Sequence, residues 1–234
     1  MNIYKYIIAM IYDCIVVSAY LFSTYVLSKV MTIFEPFVLN KCKIIYNTFQ
    51  ILVNSYILYN LYLEFHFDLT NPFGLNTPFN YNISKYIYIH YLTKYFDFFD
   101  TLFIVLCKKS RQLSFLHLYH HSSIVLMWKY AIVTGDANGT VAFSVIANSF
   151  IHVIMYFHYL LTTLNIRNPF KFLVTKCQMS QFLILIIHSY MALKYDIYVS
   201  NEICVLQIFY QSMMFVFFFN FLIKNRNKTF LKSI

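Results

Sequence analysis

Apolar residues gather into seven stretches of about twenty residues, the length at which a helix crosses the hydrocarbon of a bilayer. They run over 7–28, 44–63, 87–107, 113–133, 141–164, 172–194 and 204–223. Polar, turn-rich segments separate them: EPFVLNKCK, FDLTNPFGLNTPFNYN, KKSRQ, TGDANG, NIRNPFK and YDIYVSNE. The pattern predicts an all-α polytopic membrane protein with seven transmembrane helices. It forms a single domain over 1–234, with no internal repeat and no separate soluble part. The first stretch contains Asp13, and it is too long and too polar-flanked for a cleaved signal peptide.

Polar residues inside these stretches carry the chemistry. The fourth opens LSFLHLYHHSSIVLMW, where His117, His120 and His121 fall at i, i+3 and i+4 on one helix face. Ionisable rings are costly in hydrocarbon, and three on one face point to function before packing. In the third, Lys94, Asp97 and Thr101 of KYFDFFDT share a face, with Asp100 about 60° further round. A lysine and two aspartates in hydrocarbon must pair or line a wet cavity. For Lys94, an interhelical ion pair is as good a reading as a binding role. The fifth stretch places Asn148, His152, Met155, Tyr156 and Tyr159 on one stripe, with His158 about 120° away in a local hydrogen-bonding role. The sixth gathers Thr175, Gln178 and Gln181 of TKCQMSQF within roughly 120°, as amides that either bond across helices or line a site. His188, further along the Gln181 face, reads as a satisfied core histidine.

Composition agrees with a membrane solvent. Of 234 residues 60% are hydrophobic, 21% aromatic and only 12% charged, too few to cover a soluble domain of this size. The net charge of +9 is unevenly spread. The first, third and fifth loops and the C-terminal tail hold Lys29, Lys41, Lys43, Lys108, Lys109, Arg111, Arg167, Lys171, Lys224, Arg226, Lys228 and Lys232 against the single acid Glu35. The N-terminus and the even loops hold Lys5, Lys85 and Lys194 against Glu64, Asp68, Asp136, Asp196 and Glu202. By the positive-inside rule, the odd loops and the C-terminus face the cytosol and the N-terminus lies on the other side. The basic charge is therefore a topology signal, and a nucleic acid partner is not expected. The sequons at Asn82 and Asn138 fall in even loops, as a lumenal face permits. Cys14, Cys42, Cys107, Cys177 and Cys204 have neither metal spacing nor a disulfide framework.

Depth ties the polar clusters together. His117 to His121 lie roughly 6–12 Å below the basic loop that precedes them, and Asp97, Asp100 and Thr101 roughly 10–16 Å below Lys108. Gln178 and Gln181 lie roughly 10–15 Å below Lys171, with Tyr156 and Tyr159 placed similarly below Asn165. Beneath this layer the helices read as almost purely apolar. The implied chamber opens to the cytosol, with Lys108, Lys109 and Arg111 at a basic mouth and a greasy floor. An acyl chain on an anionic carrier suits that gradient. On the seventh helix Leu206, Phe209 and Tyr210 share a face in the lumenal half, which either lines the acyl tunnel or meets lipid and a neighbouring helix.

The motifs EPFVLNKCKIIYNTFQ, KYFDFFDT, CKKSRQLSFLHLYHH, NSFIHVIMYFHY and TKCQMSQF, in this order, give the chain a resemblance to the ELO family of very-long-chain fatty acid elongases. The resemblance spans nearly the whole chain. It implies a seven-helix endoplasmic reticulum protein, a 3-ketoacyl-CoA synthase condensing malonyl-CoA with a long acyl-CoA. By motif position it implies His120 as acyl acceptor and His152 as a second catalytic histidine. It implies His117, His121, Asp97, Asp100, Gln178 and Tyr156 as supporting chamber residues. Lys94, Asn148, Gln181, Lys108, Lys109 and Arg111 join them as substrate contacts. Reductase and dehydratase partners completing the cycle are expected, and a homodimer is left open. Asp97 stands where the family usually has glutamate, and His158 where it has tyrosine.

A decarboxylative condensation needs an acyl acceptor, a stabilised enolate and exclusion of bulk water. Imidazole accepts an acyl group or acts as a base near neutral pH, and Gln178 and Tyr156 can donate to a developing oxyanion. Loss of carbon dioxide drives the step, so no metal or other cofactor is expected. The alternative is a membrane di-iron desaturase or hydroxylase, which also uses HxxHH clusters because imidazole suits iron. Such a site wants about eight histidines in several boxes, and this chain has one box, with His66 and His90 far from it.

Overall fold

The computed structural model describes residues 3–65, 68–166 and 171–230, so His66, Arg167 and Lys232 lie outside the described residues. Within them the chain is helical throughout: α1 (Ile3–Val30), α2 (Asn40–Glu64), α3 (Tyr81–Phe96), α4 (Phe98–Leu106), α5 (Phe115–Thr134), α6 (Ala142–Thr163), α7 (Lys171–Tyr195) and α8 (Asn201–Phe230). Local signals set several ends. Asn80 caps α3 by accepting from the amides of Asn82 and Ile83, and Ser114 caps α5 by accepting from His117. Gly135 ends α5 in the left-handed region, at φ 89°.

The third stretch is not one helix, as the pattern predicted, but two. The break falls at Asp97, whose carbonyl accepts from Asp100 N at 3.1 Å, an i to i+3 bond that tightens the ladder locally. The acid marks the place where α3 hands over to α4. By length and composition, three helical segments among the described residues are apolar enough to cross a membrane: Ile7–Val30, Gly139–Thr163 and Asn201–Lys224. The other helices carry buried polar side chains such as Gln50, Asn54, His90 and Lys94, which dilute their hydropathy.

Helix neighbours close a ring. α3 packs on α2, α2 on α6, α6 on α7, α7 on α8, α8 on α5 and α5 back on α3, while α1 lies outside against α4 and α5. One apolar core joins α2, α3, α5 and α6 through Ile57, Leu61, Ile83, Ile87, Val125 and Val145. A smaller one joins α7 and α8 to α5 through Phe182, Tyr210 and Met214. Ile8, Phe22 and Phe209 remain exposed, as side chains facing lipid do.

Loops of alternate parity meet at opposite ends. At one end Asp196 accepts from Asn76 N and Thr140 Oγ1, both at 2.5 Å, and Asp136 accepts from Ser200 N at 2.9 Å. At the other, Phe37 N donates to Leu106 O at 3.0 Å and Lys43 Nζ to Cys107 Sγ at 2.9 Å. Asn138 is buried in the first of these networks, its amide donating to Asn80 O at 3.1 Å, whereas Asn82 of the other even-loop sequon is exposed.

Candidate functional site

Helices α3, α5, α6 and α8 of the ring, with α4 and α1 beside them, deliver the histidines and their partners. On α5, the His117 and His121 rings lie 4.2 Å apart and those of His120 and His121 5.6 Å, as i, i+4 and neighbouring positions require. His117 Nε2 lies 2.7 Å from Thr101 Oγ1, which lies 2.8 Å from the buried Tyr20 hydroxyl of α1. His120 Nδ1 lies 3.2 Å from the Tyr210 hydroxyl of α8. On α6, the His152 ring lies 5.7 Å from that of Tyr156, whose hydroxyl reaches Asp97 and Asp100. His117, His120 and His121 thus stand half-buried on one face of α5, and His152 is buried on α6.

A polar platform stands beside them. Lys94 Nζ is 3.3 Å from Asp97 Oδ2 and 3.3 Å from Asn148 Oδ1, with Lys94 only 1% and Asp97 3% exposed. Gln50 Nε2 donates to Asp97 Oδ1 at 2.8 Å and to the Tyr46 hydroxyl at 3.0 Å. Tyr156 donates to Asp100 Oδ2 at 2.7 Å and lies 3.1 Å from Asp97 Oδ1. A lone ammonium could not be held this deep without these partners.

Other expected contacts stand apart. Lys108, Lys109 and Arg111 are exposed on the loop after α4, around an open cavity of about 380 Å³ formed by that loop. Gln178 donates to Met155 Sδ at 3.5 Å, and Gln181 is buried. His158 is half-buried, its ring 6.0 Å from that of Tyr159, which is itself 41% exposed.

One expectation needs correction, and one alternative left open by the sequence is resolved residue by residue. The interior beyond the histidine layer is not almost purely apolar. His90, with no exposure, lies 3.4 Å from Ser149 Oγ, Gln207 donates to Ser144 at 2.5 Å, and His188 stacks on Phe143 at 4.8 Å. His90 and His188 were visible in the sequence one at a time, but isolated polar residues such as Ser144, Ser149 and Gln207 hide in a hydropathy average over long apolar windows. The face of α8 also divides: Phe209 is 62% exposed, while Tyr210 points at His120.

Sequence reasoning missed Tyr46 and Gln50 as site residues, although polar groups at 46, 47, 50 and 54 recur at helical spacing within an apolar stretch. It also missed a second buried cluster: Asp13 of α1 accepts from Tyr91 and Tyr95 and lies 3.5 Å from Lys129 Nζ. That pairing joins three helices and leaves no spacing signal.

Histidines on α5 and α6 beside a buried lysine–carboxylate platform, within a ring of apolar helices, belong to a membrane protein. Residues 8–232 match the ELO family, described as the GNS1/SUR4 family, and the chain belongs to it. It is 38% identical over 209 residues to Fatty acid elongase 4 of Trypanosoma brucei brucei, covering 89% of this chain and 82% of that protein. It is 36% identical over 196 residues to Fatty acid elongase 5 of Trypanosoma cruzi, covering 84% and 76%. It is also similar to Very long chain fatty acid elongase 2 of Mus musculus, 30% identical over 154 residues, covering 64% and 52%.

Proposed function

We propose that this chain is a fatty acid elongase, an acyltransferase that condenses malonyl-CoA with a long-chain acyl-CoA to give 3-ketoacyl-CoA, carbon dioxide and coenzyme A. Family membership and the names of its relatives support the activity. The observation that supports the assignment to residues is the gathering of His117, His120 and His121 on one face of α5, with His117 against Thr101 and the buried Lys94–Asp97 pair joined to Tyr156 and His152 beside them. The enzyme sits in the endoplasmic reticulum membrane with seven spans, α3 and α4 together making one. Its N-terminus is lumenal, its C-terminus is cytosolic, and its chamber opens to the cytosol. Reductases and a dehydratase act on the product downstream.

In this reading His120 Nε2 attacks the acyl thioester, the C–S bond breaks and the coenzyme A thiolate leaves. Malonyl-CoA then loses carbon dioxide, and the resulting enolate attacks the acyl carbon and returns the electron pair to Nε2. Gln178 and His152 are the donors for the developing oxyanions, with Tyr156 joining them only on turning its hydrogen from Asp100. Lys94, Asn148 and Gln181 line the substrate path, while Lys108, Lys109 and Arg111 at its mouth attract the coenzyme's phosphates. Asp97 and Asp100 hold Lys94 and Tyr156 in place.

Membranes containing the chain, given malonyl-CoA and labelled acyl-CoA, are expected to form 3-ketoacyl-CoA. The His120→Ala protein should insert and express yet condense nothing. Near-normal turnover in that variant would remove His120 from the chemistry.

A further inference from the structure

The sequence left Tyr210 either in an acyl tunnel or against lipid and a neighbouring helix; its hydroxyl lies against the histidine assigned as acyl acceptor. Three distances describe the arrangement. His120 Nδ1 is 3.2 Å from Tyr210 Oη, Tyr210 Oη is 3.2 Å from Ser123 Oγ, and Ser123 Oγ donates to Tyr119 O at 2.6 Å. Tyr210 is 5% exposed, so its hydroxyl hydrogen needs an acceptor within the protein.

The direction of the chain follows from its tightest link. Ser123 has one hydrogen, and its shortest bond, to the Tyr119 carbonyl one turn back, takes it. Ser123 Oγ is then an acceptor. Were Tyr210 to give its hydrogen to His120 Nδ1 instead, the 3.2 Å contact between the two hydroxyl oxygens would hold no hydrogen; given to Ser123, it leaves both contacts of Tyr210 satisfied. With its hydrogen turned to Ser123, Tyr210 offers His120 a lone pair. Only a protonated Nδ1 can use it, so the proton rests on Nδ1 and the lone pair on Nε2.

Resting on the elongase reading, we propose that Tyr210 is a positioning residue that holds His120 as its Nδ1–H tautomer, keeping Nε2 free for acyl transfer. When Nε2 forms its bond to the acyl carbon and the C–S bond breaks, the ring becomes an acylimidazolium. The Tyr210 oxygen, already accepting from Nδ1–H, stabilises that charge. The departing thiolate takes a proton from water at the mouth, and enolate attack later restores the neutral ring.

Tyr210→Phe keeps the ring in its apolar setting beside Phe182 and Met214 and removes only the hydroxyl. The full chain in membranes is expected to lose kcat about fivefold to tenfold in this variant, the worth of one such bond, with KM for both coenzyme A substrates unchanged. An unchanged kcat, or a loss confined to KM, would overturn the proposal. A second measurement is independent of turnover. In protein labelled with ¹⁵N-histidine, His120, assigned by its loss in His120→Gln, should show a protonated Nδ1 and a bare Nε2. Tyr210→Phe should shift population towards the other tautomer. Finding Nε2 protonated in the wild type would overturn the proposal whether or not the chain condenses malonyl-CoA. Absence of condensation by the wild type, with the tautomer as stated, would instead count against the elongase reading.

Discussion

Lys94 shares its burial with Asp97, Gln50, Tyr156 and Asn148, and this network decides how substitutions there behave. Removing one partner of a buried pair strands the other charge, whereas removing both relieves the desolvation that the pair had to overcome. Lys94→Met is therefore expected to lower stability by about 3 kcal/mol or more. Lys94→Met with Asp97→Asn should recover most of that loss without restoring activity. Thermal unfolding in detergent, read for both variants, checks this; additive losses would show that the two charges do not act as a pair. The residue scale was partly legible in the chain. The i, i+3, i+4 histidines and the Lys94–Asp97 spacing come from one helix each, where periodicity fixes the geometry. Tyr20 against Thr101, Tyr210 against His120 and Asp13 against Lys129 join different helices, and no spacing along one helix foretells them.

At the scale of elements, helix extents were readable because hydrocarbon demands long apolar runs, but rotation about each helix axis was less so. α8 illustrates the difference. Leu206, Phe209 and Tyr210 lie at i, i+3 and i+4, yet Leu206 packs on the main core, Tyr210 is buried at His120 and Phe209 is exposed. An all-apolar helix gives no polar face to mark which side meets lipid. Phe209→Ala is accordingly expected to leave product chain length unchanged, because a side chain turned outward cannot cap a tunnel. A shift to longer products in that variant would return this face to the acyl path. The break at Asp97 was invisible for a related reason: hydropathy does not register one i to i+3 bond. Its effect is to put Asp97 at a helix junction, where its carboxylate meets Lys94 of α3 on one side and Gln50 of α2 on the other.

For the whole molecule, two kinds of observation bear on how the ring sits in the membrane. The loops at 31–39 and 107–114 gather at one end, linked by Phe37 to Leu106 and Lys43 to Cys107. Those at 68–80, 135–141 and 196–200 gather at the other, tied together by Asp196, Asp136 and Asn138. Cations crowd the first end, with Lys29, Lys41, Lys43, Lys108, Lys109 and Arg111, while the acids Asp68, Asp136 and Asp196 mark the second. Short basic loops are retained on the cytosolic side during insertion, and acids contribute little to the choice. The first end is therefore expected in the cytosol, together with the tail beyond Ile223. Protease added outside sealed microsomes should remove a C-terminal tag and spare an N-terminal one. The same experiment bears on the proposed catalysis, which has coenzyme A esters reach the histidines from the end that carries Lys108, Lys109 and Arg111. A protected C-terminal tag with a cleaved N-terminal one would turn the ring over, place Lys108, Lys109 and Arg111 in the lumen, and leave cytosolic acyl-CoA without a basic mouth to enter.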